Sequence, residues 1–241
     1  MRATSIIYRR ELLGYLRSPI SWAIAAVLLL AQGIFFQAWA LRGEQLSAVV
    51  LERYFFIASF VIGAAGIIFS FRLIAEERQN HSMVLLTTSP VRDFEIALGK
   101  FFAALTFLTI TLVLSIYMPI LIKVNGKITG AQIFVGYLGL FLFGSVSLAI
   151  GMFASALTRH QFLALVIGAV LLIVLGNIFQ LASKLDAPVR PVVEQLDLWW
   201  VRFQSSFMKG IFNLKDVIFY VCVTYFFLLL AVKTLEAKRW Q

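Results

Sequence analysis

Residues 131–157 read AQIFVGYLGLFLFGSVSLAIGMFASAL, 27 residues without one charge. A helix needs about 20 mostly apolar residues to cross a bilayer, so this run is long enough to span one. The same texture recurs at residues 20–41, 54–75, 101–122, 162–183 and 217–232, and among all six runs only Arg72 is charged. Of the 241 residues, 61% are hydrophobic and 14% are charged. Soluble domains average about 45–50% and about 25%. So much apolar surface excludes a disordered chain and argues against a soluble one. The composition predicts an all-α integral membrane protein with six transmembrane helices, about half the chain lying in the bilayer.

Residues 4–17 precede the first run and read as an amphipathic interfacial helix. Ile6, Tyr8, Leu12, Leu13, Tyr15 and Leu16 fall on one arc, and Arg10, Glu11, Gly14 and Arg17 fall on the other. Ile7 and Arg9 break the pattern. Arg9, Arg10, Glu11 and Arg17 are its candidate headgroup-facing charges. Pro19 ends the helix. Ala38-Trp39-Ala40 matches a small-x-small cleavage pattern, but the apolar run around it exceeds a signal-peptide core, so a retained span is expected.

Six spans put both termini on one side. With the termini inside, twelve Lys and Arg lie on the inner side and nine on the outer. Four positives precede the first span and two follow it, which also places the termini in the cytoplasm. The net charge of +9 belongs to these flanks. No basic cluster interleaved with aromatics points to nucleic acid. One cysteine, Cys222, cannot form an internal disulfide, and two histidines give no zinc constellation. No phosphate-cradling loop occurs, because neither Gly99-Lys100 nor Gly126-Lys127 has the required spacing. The chain is expected to hold no nucleotide, metal or catalytic group of its own.

The span interiors carry no Asp or Glu, which counts against an ion-coupled carrier or channel acting alone. Gln32, Gln37, Asn177 and Gln180 read as interhelical hydrogen-bonding groups or, alternatively, as a translocation surface. Ser59, Gly63, Ser147, Gly151 and Ser155 recur at four-residue spacing and are candidate close-packing positions, within one chain or between two.

Two longer segments lie between spans. Residues 184–215, external in this topology, carry Pro188, Pro191, Trp199 and Trp200 and suit an interfacial or half-inserted helix. Residues 76–100, cytoplasmic, run from Glu76-Glu77-Arg78 through apolar Met83–Leu86 to Thr87-Thr88-Ser89-Pro90, then Val91-Arg92-Asp93 and onward to Gly99-Lys100. A short apolar turn rimmed with charge is a docking element for a partner's groove or an element lying on the bilayer surface.

This segment resembles that of the ABC-2 type transporter permeases through Glu76, Glu77, Arg78, Leu85, Leu86, Ser89, Pro90, Val91, Arg92, Glu95, Gly99, Lys100 and Phe101. Arg10-Glu11-Leu12 with Ser18-Pro19-Ile20, the run Gly151–Arg159, and Lys215-Asp216-Val217 with Arg239-Trp240 are similar to the gliding-motility (Gld F-type) permeases. The resemblance implies an ABC-2 (type V exporter-like) permease fold in the bacterial cytoplasmic (inner) membrane. It implies two separate ABC ATPase subunits, which carry the ATP and magnesium, and a second permease, identical or a Gld G-like paralogue. It also implies that 76–100 is the coupling segment. Candidate ATPase-interface residues are then Glu76, Glu77, Arg78, Leu85, Leu86, Pro90 and Arg92, with Thr158 and Arg159 as a second contact. An ion-coupled transporter or channel without an ATPase, and a membrane scaffold, remain the alternative readings.

Overall fold

The computed structural model describes residues 2–41, 46–79, 92–182 and 193–239. All regular structure among them is helical. α1 (Arg2–Arg17) is followed by α2 (Pro19–Phe35), which continues into a wide π-helical turn at Phe36–Ala40. Pro19 opens α2 behind Ser18, whose hydroxyl accepts from the Ser21 N–H at 3.4 Å. Proline suits a helix's first turn, where its missing N–H has no partner anyway. Next come α3 (Ser47–Ser70), the short α4 (Ala75–Gln79), α5 (Asp93–Leu114) and α6 (Tyr117–Asn125). α7 (Gly130–Leu157), α8 (Gln161–Gly176), α9 (Ile178–Ala182) and α10 (Leu214–Arg239) follow, with short helical turns at Trp200–Gln204 and Phe207–Lys209 before α10.

α7 is the core. Of its most apolar stretch 83% is buried, against 22% for α2. α3 lies along it in a constant register. A methyl group on Gly66 would sit 2.6 Å from Ser147 Cβ, and one on Gly151 would meet Ser70 Oγ and, at 3.3 Å, the Ile67 backbone. One turn further, Ser155 Oγ accepts from the N–H groups of Ile74 and Ala75. Partners are thus about 81 residues apart throughout, so α3 and α7 run parallel. The small residues allow this close approach, the main source of helix association where hydrocarbon replaces water. α10 runs parallel to α7 on another side, with Phe143 near Tyr220, Ser145 bonded to Thr224 at 3.2 Å, and Phe153 near Phe227.

Five helical stretches, Pro19–Ala40, Ser47–Gln79, Asp93–Val124, Gly130–Leu157 and Leu214–Ala237, are long and apolar enough to cross a membrane. The apolar α8 has 16 residues, about 24 Å at 1.5 Å per residue. Asn177 separates it from the short α9 as a one-residue turn.

Helix ends differ from the apolar runs for chemical reasons. The third long helix starts at Asp93, not 101, because the Glu95 carboxylate accepts from the Arg92 N–H and satisfies its first turn. α10 starts at Leu214, not 217. Asn213 caps it by accepting from the Lys215 N–H at 3.1 Å, while Asp216 turns to Arg202 and Ser206 instead.

Several polar side chains inside the bundle pair with one another. Gln32 Nε2 donates to the Tyr54 hydroxyl at 2.9 Å, and Tyr54, Tyr137 and Ser115 hydroxyls lie 2.7–3.2 Å from one another. This buried knot joins α2, α3, α7 and the α5–α6 junction. Asn177 accepts from the Trp200 indole at 3.2 Å.

Candidate functional site at the base of the bundle

Four pieces of the chain meet at one end of the bundle, here called the base: α1, α4, the start of α5 and the end of α7. The sequence that seats α1 repeats at helical period. Thr4, Ile7, Tyr8, Glu11 and Tyr15 all turn toward the bundle. A methyl group on Gly99 would lie 2.9 Å from Ile7 Cγ2 and 3.0 Å from the Thr4 carbonyl, so glycine lets α1 rest directly on α5. Tyr8 and Thr106 hydroxyls are 3.2 Å apart. Tyr15 is buried, stacks on Phe107 at 5.3 Å and donates to the Phe69 carbonyl at 2.5 Å. Burial pushes its phenol well above the usual range, with nearby Arg72 offsetting part of the effect.

This seating corrects the two-arc reading of α1. Ile6, on the expected apolar arc, is 69% exposed, and Ile7, off that arc, is the contact residue. Glu11, on the expected polar arc, turns inward to Lys100. Arg9, Arg10 and Arg17 are exposed. A helix clamped between lipid and a second helix has three faces, which two arcs cannot describe.

The inward Glu11 meets a lysine. Lys100 is 3% exposed, and its Nζ lies 3.0 Å from Glu11 Oε1 and 2.9 Å from Glu77 Oε1. One buried cation therefore ties α1, α4 and α5 together. An ammonium this buried is tolerable only with carboxylate partners. Arg72 adds an i,i+4 pair to Glu76 at 3.4 Å.

A second clasp joins the other pieces. Arg78 Nη1 donates to the Ala156 carbonyl at 2.8 Å, and Ser155 holds the start of α4. Partial burial and the nearby Arg159 charge both act on the Arg78 guanidinium. Thr158 folds back on the turn, donating to the His160 carbonyl and accepting from its N–H. Arg92 and Arg159 are exposed. The base thus brings together Glu11, Glu76, Glu77, Arg78, Arg92, Thr158 and Arg159. Leu85, Leu86 and Pro90 lie outside the described residues.

The small residues of α3 and α7 divide by role. Gly63 faces Phe143 and Leu172, and Ser147, Gly151 and Ser155 face α3 within the same chain. Ser59 instead accepts from the Trp199 indole at 2.8 Å.

The opposite end holds the described part of the segment between α9 and α10. It is built on two aspartates, Asp197 and Asp216; the second reads in sequence as the N-cap of the last span, but its carboxylate is used here instead. Asp197 is fully buried and accepts from the N–H groups of Phe179, Trp199 and Val201. Asp216 pairs with Arg202 at 3.0 Å and accepts from Ser206 at 2.7 Å, while the Arg202 guanidinium lies 3.7 Å above the Phe219 ring. The segment is packed into the bundle, with Phe207 against Gly139 and Tyr220 donating to the Leu198 carbonyl. Among the described residues no group of His, Cys, Asp and Glu could hold a metal ion.

A family model described as ABC-2 family transporter protein matches residues 5–210. That span takes in the base and the core helices, and the chain belongs to this family. No curated protein matches it.

Proposed function

We propose that this ABC-2 family chain is the permease subunit of an ATP-driven transporter and that its base receives a separate ABC ATPase subunit. The observation that carries the reading is the pair of clasps at the base. Lys100 binds α1 to α4, and Arg78 with Ser155 binds α4 to the end of α7. The segment entering residues 80–91 and the turn at Thr158 and Arg159 thereby move as one body with α1. A push on that body reaches α3, α5 and α7 directly. Coupling needs two arrangements with different contacts, and a platform locked by buried charge passes displacement on instead of absorbing it.

In this reading six helices cross the cytoplasmic membrane, α8 with α9 counting as the fifth, and both termini lie in the cytoplasm. Leu85, Leu86 and Pro90 enter the ATPase groove, with Glu76, Glu77, Arg78 and Arg92 around them and Thr158 and Arg159 as the second contact. ATP and magnesium sit on two ATPase subunits, and a second permease, identical or a Gld G-like paralogue, completes the path. Its likeness to the gliding-motility (Gld F-type) permeases extends this reading.

The test is recovery of the ATPase with the tagged full chain. Leu85→Asp with Leu86→Asp should abolish recovery while membrane insertion persists. Unchanged recovery would refute the docking assignment. ATP-independent flux through liposomes holding this chain alone would favour the carrier or channel reading.

A further inference from the structure

Between α1 and the ends of α3 and α5 lies a half-open recess of about 300 Å³, room for about ten water molecules. Six of its lining residues are charged: Arg10, Glu11, Arg72, Glu76, Glu77 and Lys100. We propose that it binds a zwitterionic phosphodiester, the ethanolamine-type headgroup of a membrane phospholipid. The proposal needs the membrane placement of the helices and not the ATPase reading.

The charges are unequally used. Lys100 is enclosed by Glu11 and Glu77, so this trio carries an excess negative charge. Arg72 makes one contact of 3.4 Å through Nε, and its terminal nitrogens bond nothing among the described residues. Arg10, exposed at the mouth, has no bond among the described residues. Two guanidinium forks suit phosphate oxygens. The anionic trio beside them suits an ammonium. The six charges sum to zero, so a zwitterion leaves the recess neutral, whereas an anionic headgroup adds an unbalanced charge.

Gly14 supplies the space. A methyl group placed there meets nothing within 4 Å, so no packing contact in the described chain requires glycine. Glycine weakens a helix interior relative to alanine, so helix stability does not account for it either. The recess lies where the apolar runs stop, at headgroup depth for an interfacial helix, and Leu13, the chain neighbour of Gly14, is 38% exposed.

The test is native mass spectrometry of the delipidated full chain in detergent. Phosphatidylethanolamine, phosphatidylglycerol and soluble glycerophosphoethanolamine are titrated separately. Phosphatidylethanolamine should bind at least tenfold tighter than either of the others. Gly14→Leu, which fills the recess, and Arg10→Gln, which removes an exposed donor, should each weaken it at least tenfold. Lipid-free melting temperatures of both variants should be no lower than the parent's. Equal retention of the two lipids, undiminished binding in either folded variant, or equally tight binding of the soluble phosphodiester would overturn the proposal.

Discussion

Replacing Lys100 by methionine keeps an unbranched side chain, one atom shorter, and removes its charge. The perturbation is severe because both partners stay behind. At 3 Å and an effective dielectric constant of about 20, each lysine–carboxylate contact is worth about 5 kcal/mol of Coulomb energy. Desolvating the ammonium and the carboxylates offsets much of that gain. Removal of the cation leaves Glu11 and Glu77 facing the same space without it, and breaking a buried pair in this way costs about 3–5 kcal/mol. For a chain of this size that is a loss of about 6–20 °C in melting temperature. The assay is thermal unfolding of the detergent-solubilised chain followed by size-exclusion chromatography. Lys100→Met combined with Glu11→Gln and Glu77→Gln should recover most of the loss, since no charge is then stranded. A loss of only a few degrees for Lys100→Met, the range of an exposed pair, or no recovery in the triple variant, would refute the account of the base as a charge-locked body.

Three further outcomes test other parts of the structure. Gly66→Val drives a side chain into Ser147 and the Leu148 backbone N–H, and overpacking of this kind should cost about 1–3 kcal/mol in the same thermal assay. Asp197→Ala strands three backbone donors at about 1–3 kcal/mol each, so it should release the segment before α10 to limited proteolysis of the detergent-solubilised chain while Asp197→Asn retains part of the protection. The Tyr15 phenol is held neutral in the fold above its ordinary value of about 10, so the folded state keeps a proton that the unfolded state loses. Stability should therefore fall as pH rises above about 10, by about 1.4 kcal/mol per unit from this group, and Tyr15→Phe should remove that part of the slope.

The membrane class and the helices were legible because charge-free runs of some 20 residues leave few other solutions. The ends were not, because they depend on partners far away in sequence. Lys100 reads as a flanking charge until Glu11 and Glu77, 89 and 23 positions distant, are seen around it, and a paired lysine lets α5 continue through it. The spacing of residues 4, 8, 11 and 15 carried a signal for a packed face on α1, hidden because that face holds a glutamate and two tyrosines. The segment before α10 was harder still. Asp197 looks like a surface residue in a linear reading and Asp216 like the N-cap of the last span, yet they organise backbone donors and Arg202 inside the bundle. Gln32 followed the interhelical hydrogen-bond reading, since Tyr54 meets it at 2.9 Å.

The claim that the base receives an ATPase is tested most directly by site-specific cross-linking. Cys222, the one native cysteine, is replaced by serine, and single cysteines are placed at Arg92, at Arg159 and, at the opposite end, at Lys209. Cross-links to an ABC ATPase subunit should form from Arg92→Cys and Arg159→Cys, change in yield when ATP is added, and be missing from Lys209→Cys. Cross-links from Lys209→Cys, or none from either base position in membranes where the ATPase is present, would contradict the account.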